Sequence, residues 1–221
     1  NSDLALKNFN YSNLYLSVQK VTNDTYLKVF DTNLPETRLK PNNQNNLSSE
    51  VELTLNGESF SFNSGAKVFE NLTKEKNDRY QYILPYYNFN KNFISQFNLG
   101  DLYFSSSGSN DLNNTNKLKT KVINNLDFKS NDKISNKGLV NNFNIYFKNS
   151  NTLGKNDENY KSSPQVELMN IYEFSSKLPL QKKEKNYNNY LTPKLSLRFN
   201  PSDMKDYSSS SKQITVDNVF N

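Results

Sequence analysis

A chain of 221 residues can form one large domain or two small ones, yet only 34% of its residues are hydrophobic. That falls short of the roughly 45–50% apolar content of a typical soluble domain and argues against an ordinary packed interior. The net charge of +5, from 27 basic and 22 acidic residues, is spread along the chain, and without a compact basic patch nucleic-acid binding is not indicated.

Cysteine and histidine are both absent. Disulfides and thiolate metal sites are therefore excluded, and the usual general base and thiol nucleophile are missing. Acid pairs such as Asp157-Glu158 sit in polar stretches, and no glycine-rich phosphate loop is present. The chain reads as a non-enzyme without cofactor or metal. Asparagine is abundant, alongside Lys, Tyr, Phe and Ile. Asn-rich chains can be disordered or prone to β-aggregation. AT-rich codon bias is the plainer account, and it makes triplets such as Asn71-Leu72-Thr73 expected by chance.

The elements follow one period. Leu14, Leu16 and Val18 alternate with Tyr15, Ser17 and Gln19, and Val51, Leu53 and Leu55 alternate with Glu52, Thr54 and Asn56. Asn56-Gly57 then forms the pair that a type I′ hairpin favours, since both positions need positive φ. Phe60 and Phe62 open the next strand. Tyr80, Tyr82, Tyr86 and Tyr87 fit either an aromatic girdle or plain strand propensity. Pro85 lies within that run and Pro193 in a later one, which predicts a bulge or a strand start, because proline removes a ladder donor.

Further on, Phe143, Ile145 and Phe147 alternate with Asn142, Asn144 and Lys148. Leu195, Leu197 and Phe199 alternate with Lys194, Ser196 and Arg198. Lys182-Lys183-Glu184-Lys185 reads as a solvated turn. Asn- and Ser-rich breaks are expected at Pro41–Ser49, Ser105–Asn116, Asn149–Pro164 and Ser202–Lys212. Successive strand side chains point to opposite faces, so each segment has one greasy and one wet side.

About ten strands result, most near the 9–11 residues that cross a bilayer when tilted. Tight turns on one rim and long polar loops on the other are the mark of a transmembrane barrel. A soluble sandwich also alternates, but the wet side here carries Lys, Arg, Glu, Asn and Ser repeatedly, as a hydrated lumen would. The fold class expected is all-β: an antiparallel meander forming part of a large transmembrane β-barrel, an open wall spanning residues 1–221. No stretch approaches the 18 apolar residues of a membrane helix. Without an initiator Met or signal-peptide regions, the chain reads as an internal piece of a longer protein.

Longer strings carry a family likeness. Asp24-Thr25-Tyr26-Leu27-Lys28-Val29-Phe30, followed by the strand pair around Asn56-Gly57, looks like a segment early in the barrel of the lipopolysaccharide-assembly protein (LptD) family. Asp78-Arg79-Tyr80-Gln81-Tyr82-Ile83-Leu84-Pro85-Tyr86-Tyr87-Asn88-Phe89 and Leu191-Thr192-Pro193-Lys194-Leu195-Ser196-Leu197-Arg198-Phe199 resemble two of its later strands. Asn124 through Ser130 and Gly138 through Lys148 are similar in order. The resemblance runs from about Asp24 to Asn221, is specific only in combination, and is nearest in flavour to α-proteobacterial versions.

The resemblance implies a Gram-negative outer-membrane protein that inserts lipopolysaccharide into the outer leaflet by passage and lateral release. It implies an LptE-like lipoprotein plug, a periplasmic transport bridge acting through an N-terminal domain outside this piece, and contact with membrane lipids. On this reading Lys148, Lys194, Ser196 and Arg198 line the lumen and could meet lipopolysaccharide phosphates. A solvated face balancing nearby acids is the plainer alternative. Phe143, Ile145, Phe147, Leu195, Leu197 and Phe199 would face lipid. Two rival readings are another outer-membrane barrel (a porin or receptor) and a soluble adhesin-like surface β-protein.

Overall fold

The computed structural model describes residues 2–29, 45–76, 78–94, 99–185 and 187–202. Alternation becomes strand almost throughout. In chain order these are β1 (Ser2–Asp3), β2 (Tyr11–Ser17), β3 (Asn46–Asn56), β4 (Phe60–Asn71), β5 (Tyr80–Ile94), β6 (Gly100–Asn113) and β7 (Lys117–Ser130). They are followed by β8 (Lys133–Ile134), β9 (Val140–Lys155), β10 (Gln165–Lys177), β11 (Leu180–Lys183), β12 (Asn188–Leu191) and β13 (Lys194–Phe199). Among the described residues one short helix, α1 (Tyr26–Val29), lies between β2 and β3.

Eleven strands form one antiparallel sheet in the order β1-β2-β3-β4-β5-β6-β7-β9-β10-β13, with β8 attached to β9, while β11 and β12 pair with each other. The sheet is a meander and does not close: β1 and β13 are its two edges. The strand estimate of about ten is exceeded, and β5, β6, β7 and β9 run 14 to 16 residues. β6 and β9 are longer than expected because the Asn- and Ser-rich stretches do not break them.

Ser105–Asn113 belongs to β6, Asn149–Lys155 to β9 and Asn46–Ser49 to β3. Small polar residues are poor strand formers alone. Here, neighbours on both sides complete the backbone ladder, and this overrides local preference. Of the Ser202–Lys212 break only Ser202 is among the described residues, and residues 41–44 and Phe30 also lie outside them.

The hairpin between β3 and β4 forms, but not by the turn expected. Neither Asn56 nor Gly57 has positive φ. Gly57 donates its N–H to Phe60 O at 2.9 Å, so Glu58 and Ser59 make the bend. Gly57 is needed for space: a Cβ there would sit 2.3 Å from Phe60 Cε1. The left-handed pair occurs instead between β6 and β7, at Asn114 (φ 50°) and Thr115 (φ 57°), with Asn116 N–H donating to Asn113 O at 3.3 Å. Tight turns and long connections thus occur on both rims. The rim of the Gly57 bend also carries the β7–β9 and β10–β13 connections, and the Asn114 turn lies on the rim that carries residues 156–164.

Both prolines act as foreseen. Register shifts on both flanks of β5, between Ile83 and Tyr86 on one side and opposite Gly65 to Lys67 on the other, place a bulge at Leu84-Pro85. Pro193 immediately precedes β13 and accepts the Leu178 N–H at 3.0 Å. The Lys182 run is not a simple turn: Lys182 and Lys183 lie in β11.

Among the described residues a conventional core exists only at one rim. Leu27 of α1, Leu47 and Leu72 are buried together, with Val21 packed against them. Beside them the nearly buried Arg79 guanidinium reaches Asp24 at 2.8 Å and Glu70 at 3.4 Å. Among the described residues the only other buried apolar side chain is Val140.

Candidate functional site: the two faces of the sheet

Cross-strand partners share a face, so the register assigns every strand residue to one side. One side collects Glu50, Glu52, Lys67, Tyr86, Asp111, Lys119, Lys121, Asp127, Lys148, Glu173 and Arg198. The other collects Leu53, Phe62, Phe89, Phe104, Phe128, Ile145, Phe147, Phe174 and Leu197. The alternation seen strand by strand therefore keeps its phase across the sheet. A one-residue slip anywhere would have reversed it.

On the charged side, Tyr86 of β5 reaches across β4 to β3. Its hydroxyl lies 3.0 Å from Glu50 Oε1 and 2.7 Å from Glu52 Oε2, and Lys67 Nζ is 2.5 Å from Glu50. The tyrosine crosses over Gly65, where a Cβ would meet the Tyr86 hydroxyl at 2.7 Å and Val51 O at 2.3 Å. Sequence reading missed this cluster because its members lie on three strands. The one available signal was a glycine inside an alternating run, which marks close approach of a neighbour.

Further along the same side, Arg198 donates through Nε and Nη2 to Glu173 Oε2 at 3.1 and 2.7 Å, and Asn144 donates to Glu173 at 3.4 Å. Ser196 lies opposite Ser175, and Lys194 opposite Lys177, whose charge is met by Asp132 at 3.1 Å. Lys194, Ser196 and Arg198 thus form one row on β13. Lys148 shares their face but sits on β9, opposite Asn125 and Met169, and does not join the row. Two hollows open mainly on this side. One, of about 330 Å³, is lined by Ser61, Asn90, Asn92, Tyr103, Ser105 and Asp127, with rim residues. The other, of about 250 Å³, is lined by Tyr86, Asn88, Ser107, Ser109, Lys121 and Ile123, with Tyr87 and Gly108.

The apolar side carries all six of Phe143, Ile145, Phe147, Leu195, Leu197 and Phe199. Phe9, Phe60, Phe89 and Phe104 form a chain of ring contacts across it, with centroids 5.8, 6.4 and 6.1 Å apart. Tyr80 and Tyr82 stack on this side and Tyr87 joins them, but Tyr86 does not, so the four tyrosines are not one girdle. No second layer covers these side chains among the described residues: Leu195, Leu197 and Phe199 are all about 60% exposed.

A polar row crosses the apolar side at mid-strand. The Tyr87 and Ser106 hydroxyls are 3.1 Å apart, and Ser106 donates to Asn124 Oδ1 at 2.7 Å. Asn124 Nδ2 donates to Asn149 Oδ1 at 3.1 Å, and Asn151 donates to the same oxygen at 2.5 Å. Ser106, Asn149 and Asn151 lie in stretches that the sequence assigned to breaks. Side-chain ladders of this kind satisfy amides against one another, which lowers the cost of a polar row on an apolar surface.

No group of three or more acids that could hold a metal ion occurs among the described residues. No family model matches the chain, and no curated protein matches it.

Proposed function

We propose that the chain is a wall segment of an outer-membrane β-barrel, and that this barrel inserts lipopolysaccharide into the outer leaflet of a Gram-negative envelope. The observation that carries the barrel reading is the single in-phase sheet whose apolar face no described residue beyond the rim covers. Such a face is stable when hydrocarbon lies against it. The backbone polar groups are then all paired only if the sheet closes. Along β9 the outward row runs from Phe143 to Leu153. That is roughly 33 Å of strand at about 3.3 Å per residue, which spans about 25 Å at a tilt near 40°. The mutually bonded Ser106-Asn124-Asn149 row lies within that span.

The transport role rests on the family likeness of Asp78–Phe89 and Leu191–Phe199. In this role the chain acts by passage rather than bond-making: Lys194, Ser196, Arg198 and Lys148 hydrate the lumen, and Leu195, Leu197 and Phe199 meet lipid. Its partners are lipopolysaccharide, a lipoprotein plug and a periplasmic bridge. The test uses the full-length parent protein. It should need detergent, migrate faster on gels before boiling than after, and, when depleted, leave lipopolysaccharide missing from the cell surface. A parent that stays soluble without detergent would sink the barrel, and normal surface lipopolysaccharide after depletion would sink the transport role alone.

A further inference from the structure

The connection between β10 and β13 is a second hairpin stacked on the first. The β10–β13 ladder ends at Lys177↔Lys194, Leu178 N–H donates to Pro193 O at 3.0 Å, and the pairing resumes in unchanged register at Leu180↔Leu191. Pro179 and Pro193 each lack a donor, which explains why the ladder thins there. β11 and β12 touch only each other among the described strands. From Lys177 to Lys183 the arm extends six residues past the sheet, roughly 20 Å if fully extended. The tip closes with Glu184 N–H donating to Tyr187 O at 2.9 Å.

The arm concentrates charge. From Lys177 to Lys194 there are five lysines against Glu184, so this stretch carries +4 of the chain's +5. The charge looked evenly spread only because the remaining acids and bases nearly cancel. Lys182 pairs with Glu184 at 2.8 Å, while Lys183 and Lys185 meet no acid among the described residues. Tyr187 and Tyr190 are 57% and 71% exposed, and the apolar row that includes Leu195 and Leu197 leads up to Leu180 and Leu191 at the arm's base.

We propose that this arm is an anchor that stands within the lipid headgroup layer and binds the phosphate groups of anionic lipids from both of its faces, through Lys182 on the Leu180 side, Lys183 on the Tyr190 side and Lys185 at the tip, with Tyr187 and Tyr190 at headgroup depth. The inference rests on the barrel reading, because it takes the apolar row below the arm to face hydrocarbon. Lysine and tyrosine immediately beyond an apolar band occupy the level where lipid headgroups sit. A soluble polyanion would explain the lysines but not the continuity of the arm with the apolar row.

The experiment measures partition of the full-length parent protein between buffer and vesicles, using phosphatidylcholine alone or mixed with phosphatidylglycerol, at low and high salt. At about 1 kcal/mol per lysine near a charged surface, the three lysines should favour the anionic vesicles on the order of a hundredfold at low salt. The triple variant Lys182→Gln, Lys183→Gln, Lys185→Gln should lose that preference and keep its partition into neutral vesicles, whereas the corresponding triple Lys→Arg variant should retain it. Equal partition of the wild type into both vesicle types overturns the anchor and leaves the barrel standing. So does an unchanged preference in the triple Gln variant. Failure to enter either vesicle type overturns the barrel reading as well.

Discussion

Leu47 and Leu197 are the same residue type on strands of the same sheet, yet one is 1% exposed and the other 60%. The difference lies in what the chain does next to them. After β2 it folds back over the rim, and α1 sets Leu27 against Leu47 and Leu72, closing a small dry core beside Arg79 and Asp24. Beside β13 no described residue folds back, and Leu195, Leu197 and Phe199 are exposed. Apolar content alone therefore does not build an interior. A second layer is required, and among the described residues the rim alone has one.

The sharpest way to break this comparison is to truncate both leucines. Leu47→Ala should cost about 2–5 kcal/mol in denaturant unfolding of the chain in buffer without detergent. Leu197→Ala should cost less than about 1 kcal/mol, since little of that side chain leaves solvent in the chain by itself. Equal losses would mean that β13 is covered in solution.

Charge placed on adjacent positions of β13 sharpens the contrast between faces. Leu197→Arg should cost roughly 2–4 kcal/mol when folding into bilayers is measured, as expected for a cation on a lipid face. Ser196→Arg, on the charged side opposite Ser175, should cost well under half of that. Comparable penalties would contradict the two-faced reading.

The polar row on the apolar side gives a smaller effect. Asn124→Ala leaves Ser106 and Asn149 without the partner at 2.7 and 3.1 Å, and should cost about 1–3 kcal/mol in the same folding assay. A neutral result would mean that these amides are already hydrated.

The smallest expected effect lies in the β9–β10 connection. Asp157 accepts the N–H groups of Asn159 and Tyr160 at 2.9 and 3.1 Å, and Lys119 lies 3.2 Å away. Desolvation pushes this carboxyl upward, but those donors and the ammonium outweigh it and hold it below the usual carboxylate value. A depressed native value contributes stability at pH above the unfolded carboxylate value, and that contribution is lost as pH falls through the native value. Wild type should thus melt slightly above Asp157→Asn at neutral pH, and the gap should close below about pH 4. A gap that persists in acid would show that the carboxylate charge is not what holds the loop.

Much of the fold was legible locally. Period-two alternation at Leu14–Val18, Val51–Leu55, Phe143–Phe147 and Leu195–Phe199 placed strands and divided their faces correctly, because a pleated backbone forces neighbours apart. Proline positions told equally well, since a missing donor has the same consequence in any sheet. Breaks were read less well. Ser105–Asn113 and Asn149–Lys155 look like loops until strands on both sides supply partners, and the turn assigned to Asn56-Gly57 lies two residues further on, at Glu58-Ser59. The Lys182 run became half of an arm because Leu180 found Leu191 across the turn.

What the sequence determined by itself is the two-sidedness of each strand, since that depends only on which residues alternate. The phase that joins those sides into continuous faces, the reach of Tyr86 over Gly65 to Glu50 and Glu52, the Ser106-Asn124-Asn149 row and the projection of the basic arm were decided only by the register between strands. Pairing is non-local: which residues lie opposite one another depends on hydrogen bonds between segments tens of residues apart, and no local pattern encodes that choice.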